Sequence, residues 1–262
     1  MSLYPDIFSL RSKVIVVTGG TRRYGYIFAE ALAEAGGTVL LTSRDKGRAE
    51  ESAEKVRAVT GGTALGYGLE LADDDSIEAF VGNVLEDHGR IDVLVNNARH
   101  IPSMAGFEIT REELNRTFAV NSIGLILLTR RVVAEMKQAG GGNIINISSI
   151  YGIGGQYPSI YPDPEAAISL DYPIAKGGLI AYTKQLATIL AQYNIRANCL
   201  SLGGLQETAP DDYFLPRYNQ RTPLGRMAVP NDVKGPIIFL ASDASVYMTG
   251  ANVVVDGGWT AW

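Results

Sequence analysis

Tyr172 and Lys176 lie four residues apart in the run YPIAK. At helical spacing, positions i and i+4 share one face. An ammonium beside a phenol favours the phenolate and draws the tyrosine down from its reference pKa of about 10. A tyrosine so placed can donate or accept a proton near neutral pH. The nearby Tyr157 and Tyr161 have no such partner, because Tyr161 and Glu165 stand four residues beyond them. Both remain candidates to line a substrate pocket. Ser149 follows an apolar strand-like run and offers a hydroxyl. Asn121 sits among Val120, Ile123 and Leu125, where its amide either satisfies backbone groups or holds a water.

A second chemistry is anion binding. Residues 13–27 read KVIVVTGGTRRYGYI. A run of β-branched residues passes through Thr18-Gly19-Gly20 and Gly25 into a helical pattern carried by Ile27, Phe28, Ala31 and Leu32. A strand, a glycine turn and a helix N-terminus together aim free N–H groups and the helix dipole at a phosphate. The glycines at 19, 20 and 25 do not have the spacing of GxGxxG, so this stretch needs support from the rest of the chain.

That support comes from the alternation of elements. Strands are expected at 14–18, 38–42, 63–71, 91–95, 143–147, 195–200 and 251–256. Helices are expected at 25–35, 45–59, after the capping run Asp73-Asp74-Asp75, and at 112–138, 172–193 and 230–241. Such alternation predicts an α/β fold, a doubly wound parallel sheet with helices on both faces, in one domain spanning 1–262. Ligands of such sheets sit beyond the carboxyl ends of the strands. The glycine turn, Asn96 and Ser149 therefore belong to one edge. Residues 150–171 lack a clear period and read as an extended loop on that side, and 203–225, rich in Pro and Gly, as a mobile segment. In the lead-in, Leu3, Tyr4, Ile7 and Phe8 are apolar enough to pack on the domain edge.

Composition narrows the classes. Apolar residues make up 46% of the 262 positions, enough for a large core. The net charge of -5 argues against a nucleic-acid partner, which wants a basic stripe. No signal peptide is visible, and no unbroken apolar run is long enough to span a membrane, so a cytoplasmic protein without a membrane partner is expected. The single cysteine, Cys199, lies in an apolar strand and reads as a buried thiol. His88 and His100 have no ligand spacing with carboxylates, and no metal is expected.

Taken together, TGGTRRYG (18–25), NNAR (96–99), Asn121, NISS (146–149), YPIAK (172–176), SLGG (201–204) and VVDGG (254–258) resemble the classical short-chain dehydrogenase/reductase family over roughly residues 10–260. The resemblance implies a Rossmann-like fold and hydride transfer between a nicotinamide and a ketone or secondary alcohol, such as a sugar derivative, polyol or 3-oxoacyl compound. It assigns the general acid/base to Tyr172, the lowering of its pKa and a grip on the nicotinamide ribose to Lys176, and the substrate oxygen to Ser149. A relay water falls to Asn121. The implied cofactor cradle takes Gly19, Thr21, Arg22, Arg23, Tyr24 and Gly25 from the glycine loop. Ser43, Arg44, Glu70 and Leu71 join it from the ends of the second and third strands. Asn97, Ala98 and Gly203 complete it beside Tyr172 and Lys176. The resemblance also implies a homotetramer or homodimer paired through the helices at 112–138 and 172–193.

An acidic residue after the second strand would repel a 2′-phosphate. Ser43-Arg44 stands there instead, and Arg44, with Arg22 in reach, suits NADP(H) over NAD(H). Four positions depart from the family pattern. Arg23 replaces a loop glycine, which predicts altered loop geometry and leaves a non-catalytic dinucleotide-binding regulator as an alternative reading. Arg99 replaces the glycine of NNAG. With His100 it either faces the substrate, suiting an anionic or polyhydroxy compound, or faces solvent. Leu202 stands for a proline. The stretch from Ser149 to Tyr172 is longer than usual, and its Asp163, Glu165 and Asp171 give the expected pocket mouth a negative tone. A nucleotide-sugar epimerase or dehydratase is a further alternative, though the chain has little room for its larger substrate domain. Trp259 and Trp262 are placed to close a pocket of their own or of a neighbouring subunit.

Overall fold

The computed structural model describes residues 6–100, 106–165, 168–209 and 212–262. Leu3 and Tyr4 lie outside the described residues, while Ile7 and Phe8 belong to a half-buried 3-10 turn, Asp6–Phe8.

Seven parallel strands form the sheet among the described residues: β1 (Val14–Val17), β2 (Thr38–Ser43), β3 (Thr63–Gly68), β4 (Val93–Asn96), β5 (Gly142–Ser149), β6 (Ile195–Leu202) and β7 (Asn252–Val255). Their order is β3-β2-β1-β4-β5-β6-β7. The run VIVV of β1 is buried at every position, as a strand covered on both faces must be. Alternate residues serve opposite layers. Ile15, Val17, Val39 and Leu41 pack on one side with Val95 and Ile147. Val14, Val16, Leu40, Leu94 and Ile144 pack on the other.

On the first face lie α1 (Arg23–Glu34), α2 (Lys46–Thr60) and α8 (Pro230–Ala241). The second face is covered by α3 (Asp74–His88), α5 (Leu125–Gln138) and α6 (Asp171–Leu190). The acidic run caps α3 as its composition predicts, the Asp73 carboxylate accepting from Asp75 N–H at 3.0 Å. Strand order reverses between β1 and β4, which opens a crevice at their carboxyl ends.

Three stretches differ from expectation. The helix expected at 112–138 is broken. α4 (Arg111–Phe118) passes through a π turn, Ala119–Gly124, into α5. At Gly124 a Cβ would collide with the Leu71 carbonyl, so glycine lets the turn lie against the end of the β3 segment. This 28-residue stretch has the length and apolarity of a membrane span, but it packs as a cover of the sheet. The loop at 150–171 holds 3-10 turns at Ile150–Gly152 and Pro158–Ile160, and Ile160 is fully buried; Ala166 and Ala167 lie outside the described residues. The 203–225 segment carries the helix α7 (Phe214–Arg221), anchored by buried Phe214 and Tyr218 four residues apart; Pro210 and Asp211 lie outside the described residues. Elsewhere element ends shift by a few residues, the largest shifts being β3 ending at Gly68 rather than 71 and α6 at Leu190 rather than 193.

Candidate active site

Thr18 ties the two sides of the crevice together. Its hydroxyl donates to Val95 O at 3.2 Å and accepts from the N–H groups of Asn97 and Ala98, both at 2.9 Å. The Asn97 amide returns the bond, donating to Thr18 O at 2.8 Å and Gly19 O at 3.2 Å. Asn96 has a different task. Its buried amide donates to Thr129 and Asn146 at 3.0 and 2.9 Å, so it braces β4 against β5 and α5 and takes no part in the cleft wall.

The glycine loop packs with no slack. Gly19 has φ +62°, and a Cβ there would stand 2.9 Å from Ala98 Cα. A Cβ at Gly25 would collide with Gly19 O and stand 2.5 Å from Asn97 Nδ2. Arg23, in place of a family glycine, keeps the left-handed backbone at φ +50°. A non-glycine residue in this conformation carries a strain on the order of 1–3 kcal/mol. No side chain caps α1 at Arg22, so its first N–H groups remain open to an anion. Tyr24 stacks on Phe28 and donates its hydroxyl to Gly203 O at 2.9 Å, joining the loop to the end of β6. Gly25→Ala is expected to weaken NADPH binding at least tenfold and to destabilise the fold by ~1–3 kcal/mol, through overpacking. Cofactor titration and thermal melting of the variant read both effects.

Tyr172 and Lys176 are adjacent on the first turns of α6, as their spacing predicts. Lys176 Nζ lies 5.8 Å from the Tyr172 ring centre and donates to Ile147 O at 2.7 Å. Ser149 ends β5 and lines the cleft with Tyr172, its Oγ accepting from Tyr151 N–H at 3.2 Å. The neighbouring Ser148 hydroxyl is used elsewhere, donating to Lys176 O at 2.8 Å, so Ser149 is the serine left for the cleft. Burial pushes the Tyr172 phenol up. The charges of Lys176 and Arg99, with hydrogen bonds from Ser149 and Arg99, outweigh it and hold the phenol below its ordinary value. Lys176 is itself pushed down, mainly by burial, with Tyr172 opposing and Arg99 adding to the shift.

Arg99 faces the site: its Nη1 donates to the Tyr172 hydroxyl at 3.2 Å, and its guanidinium carbon lies 5.6 Å from the ring centre. Asn121, in the π turn, commits its amide to backbone. Its Oδ1 accepts from His100 N–H at 2.7 Å and its Nδ2 donates to His100 O at 3.0 Å. At the far end of the cleft, Arg44 is largely exposed and lies 3.9 Å from Glu70. Thr21, Ser43, Leu71, Ala98 and Gly203 line the same cavity, of about 830 Å³.

Residues 22–260 match the family model described as Enoyl-(Acyl carrier protein) reductase. The chain is 36% identical to L-rhamnose 1-dehydrogenase (NAD(P)(+)) of Azotobacter vinelandii, over 95% of this chain and 97% of that one. The chain is a classical short-chain dehydrogenase/reductase. Another relative of this dehydrogenase/reductase is the trans-4-hydroxycyclohexanecarboxylate dehydrogenase of Sinomonas cyclohexanicum, 37% identical over 95% of this chain and 93% of that one. Among solved structures, a gluconate 5-dehydrogenase from Burkholderia cenocepacia J2315 in complex with NADP and tartrate superposes with a TM-score of 0.86. It is 29% identical and covers 98% of both chains.

The substrate side of this dehydrogenase/reductase holds residues that sequence reasoning missed. Tyr151, Phe214 and Tyr218 line the cleft with the expected Tyr161. Tyr161 and Phe214 ring centres are 5.1 Å apart, Phe214 and Tyr218 5.5 Å, and Tyr218 stacks on buried Trp259 at 4.3 Å. The i,i+4 pair Phe214/Tyr218 was the signal that could have found them. Tyr157 does not join this wall. It turns away, with Arg221 stacked 4.1 Å from its ring, into a smaller cavity of about 420 Å³ that also takes exposed Trp262. Nor do Asp163, Glu165 or Asp171 line the cleft. Asp171 is fully buried and accepts from Ser169 Oγ at 2.8 Å. Cys199 is buried as expected, its thiol pushed up to about 11 by burial.

Proposed function

We propose that this oxidoreductase prefers NADP(H) and interconverts ketones and secondary alcohols, with Tyr172 as general acid/base, Lys176 and Ser149 as its supports and Asn121 as a positioning residue. The observation that carries the reading is the Tyr172 hydroxyl, held low in pKa at the carboxyl edge of the sheet beside Ser149 and Lys176. The cradle fits a dinucleotide: Gly19 and Gly25 leave no room for a Cβ, and the uncapped α1 N-terminus faces the cleft.

Bound there, the nicotinamide supplies the hydride, so that ketone, NADPH and a proton give secondary alcohol and NADP⁺. Ser149 and Tyr172 hold the carbonyl oxygen, and Tyr172 passes its proton to that oxygen. In the oxidative direction the phenolate takes the hydroxyl proton. Lys176 stabilises the phenolate and would hold the nicotinamide ribose. Asn121 fixes the backbone of His100, which follows Arg99, and so steadies that wall. Sugars, polyols and oxoacyl compounds are the substrate classes drawn from the relatives. A spectrophotometric panel of these with simple ketones and oxo acids, the carbonyl members with NADPH and the alcohol members with NADP⁺, tests the reading; no turnover by any member would sink it.

Arg44 and Ser43 support the NADP(H) preference, because neither repels a 2′-phosphate. Arg44→Asp is expected to lower the NADPH-over-NADH preference by ~100-fold, because a repulsion replaces a charge-assisted hydrogen bond. Fluorescence titration with both cofactors reads it, and an unchanged ratio would refute the role of Arg44. Exposed Ile123 and Ile126 on the 119–138 stretch, with exposed Ile174 and Ile189 on α6, favour a homodimer or homotetramer paired through those helices. A cytoplasmic location suits a chain with one reduced, buried thiol.

A further inference from the structure

Arg99 helps to hold the Tyr172 phenol low, but that task uses one of its five N–H donors and leaves the rest of its fork unexplained. Arg22 and Arg23 belong to the glycine loop, where cofactor phosphates would meet them. Arg99 lies beyond them, against the atom that meets the substrate oxygen. Among the described residues lining the cleft, the sole carboxylate is Glu70, beside Arg44 at the opposite end. The arginines crowd one another: burial, then Arg99, then Arg22 push Arg23 below its ordinary value. Arg99 is exposed at the cleft mouth, and no described lining side chain supplies it with a carboxylate partner, so its fork is open to one from a ligand.

Resting on the site proposed above, we infer that Arg99 receives a carboxylate of the substrate, making the enzyme selective for oxo and hydroxy acids that carry this group on the reacting carbon or its neighbour. The placement follows from distance. Any oxygen held by the Tyr172 hydroxyl lies next to the guanidinium, so a carboxylate one or two carbons away falls on its planar fork. That fork has five N–H donors, gives one to Tyr172, and matches a carboxylate in bidentate fashion. The rings of Tyr151, Tyr161, Phe214 and Tyr218 in the lining suit an apolar or aromatic remainder of the substrate. In reduction the 2-oxo acid, NADPH and a proton give the 2-hydroxy acid and NADP⁺. Hydride goes to the carbonyl carbon, and the Tyr172 proton goes to its oxygen.

Three probes with one phenylethyl tail test this: 2-oxo-4-phenylbutanoate, its ethyl ester, and 4-phenyl-2-butanone. The wild-type protein is expected to favour acid over ketone in kcat/KM by roughly 10- to 100-fold, the value of a charge-assisted pair. Arg99→Gln should bring acid, ester and ketone together, and Arg99→Lys should keep part of the preference. The ratio within each variant cancels any effect of Arg99 on Tyr172. Binding of unreactive 4-phenylbutanoate, followed by NMR line broadening with and without NADP⁺, reads the same interaction without turnover and should disappear in Arg99→Gln. Equal kcat/KM for acid and ketone in the wild type would overturn the inference. So would line broadening retained in Arg99→Gln, or a variant that loses NADPH affinity instead of acid preference. Retained turnover in Tyr172→Phe would overturn the acid/base assignment and leave the acid-to-ketone ratio intact, so the two failures are distinguishable.

Discussion

Tyr172→Phe lowers kcat/KM by ~10²- to 10⁴-fold, the range set by positioned acid/base groups, while NADPH affinity stays within about threefold. The basis is that the ring remains and only the oxygen leaves. The hydroxyl is the meeting point of Ser149, Arg99 and the field of Lys176. Phe fills the same volume, so α6 keeps its packing and Lys176 keeps its bond to Ile147 O. Arg99 loses a hydrogen-bond acceptor and turns to water. Steady-state rates with NADPH, paired with a fluorescence titration, separate chemistry from binding. Turnover within tenfold of wild type would remove Tyr172 from the reaction.

Lys176→Met has the second-largest effect, and it is expected as a displaced pH profile. The ammonium is buried and acts on the phenol through space. Removing a cation beside an acid raises the pKa of that acid. Alcohol oxidation needs the phenolate, so its rate climbs as pH rises through the Tyr172 pKa. In the variant that climb begins at higher pH. Each unit of displacement costs about tenfold in rate at a fixed pH below the limb, and the loss is recovered in part under alkaline conditions. Burial then acts on the phenol with only Arg99 and Ser149 left to oppose it. Met matches the stem of lysine, and replacing a buried charge with an apolar group of similar size spares the core. A profile that falls in height without moving along the pH axis would mean that Lys176 serves the cofactor alone.

The sheet was legible because its strands are covered on both faces and read as β-branched runs between glycine turns. Sequence spacing also placed Tyr172 and Lys176, since both lie in one helix. The glycine loop was readable as a turn, but Arg23 was not. Sequence predicts a changed geometry from a bulky residue, whereas the backbone absorbs the strain and keeps φ at +50°. Sequence left Arg99 either substrate-facing or solvent-facing, and it is both: exposed, and joined to Tyr172 by a hydrogen bond across 73 positions that spacing does not reveal. Asn121 was noticed as a polar residue on an apolar helix, yet its bonds to His100 depend on a π turn that periodicity does not reveal. The aromatic wall was hidden in stretches with no period, where Pro and Gly suggested open chain. Packing of Tyr161 on Phe214, from separate stretches, organises both.

The two ends of the 150–171 stretch meet. Ser148 Oγ donates to Lys176 O at 2.8 Å, and a Cβ on Gly152 would stand 2.7 Å from the Lys176 carbonyl carbon. The strand that presents Ser149 is thus fastened directly to the helix that presents Tyr172. Residues between the fastened ends can lengthen, shorten or change composition without altering how serine, tyrosine and lysine face one another. Part of the substrate wall, Tyr151 and Tyr161, is thus carried on a stretch separate from the chemistry, so a lineage can alter that wall by editing the loop while inheriting the reaction unchanged.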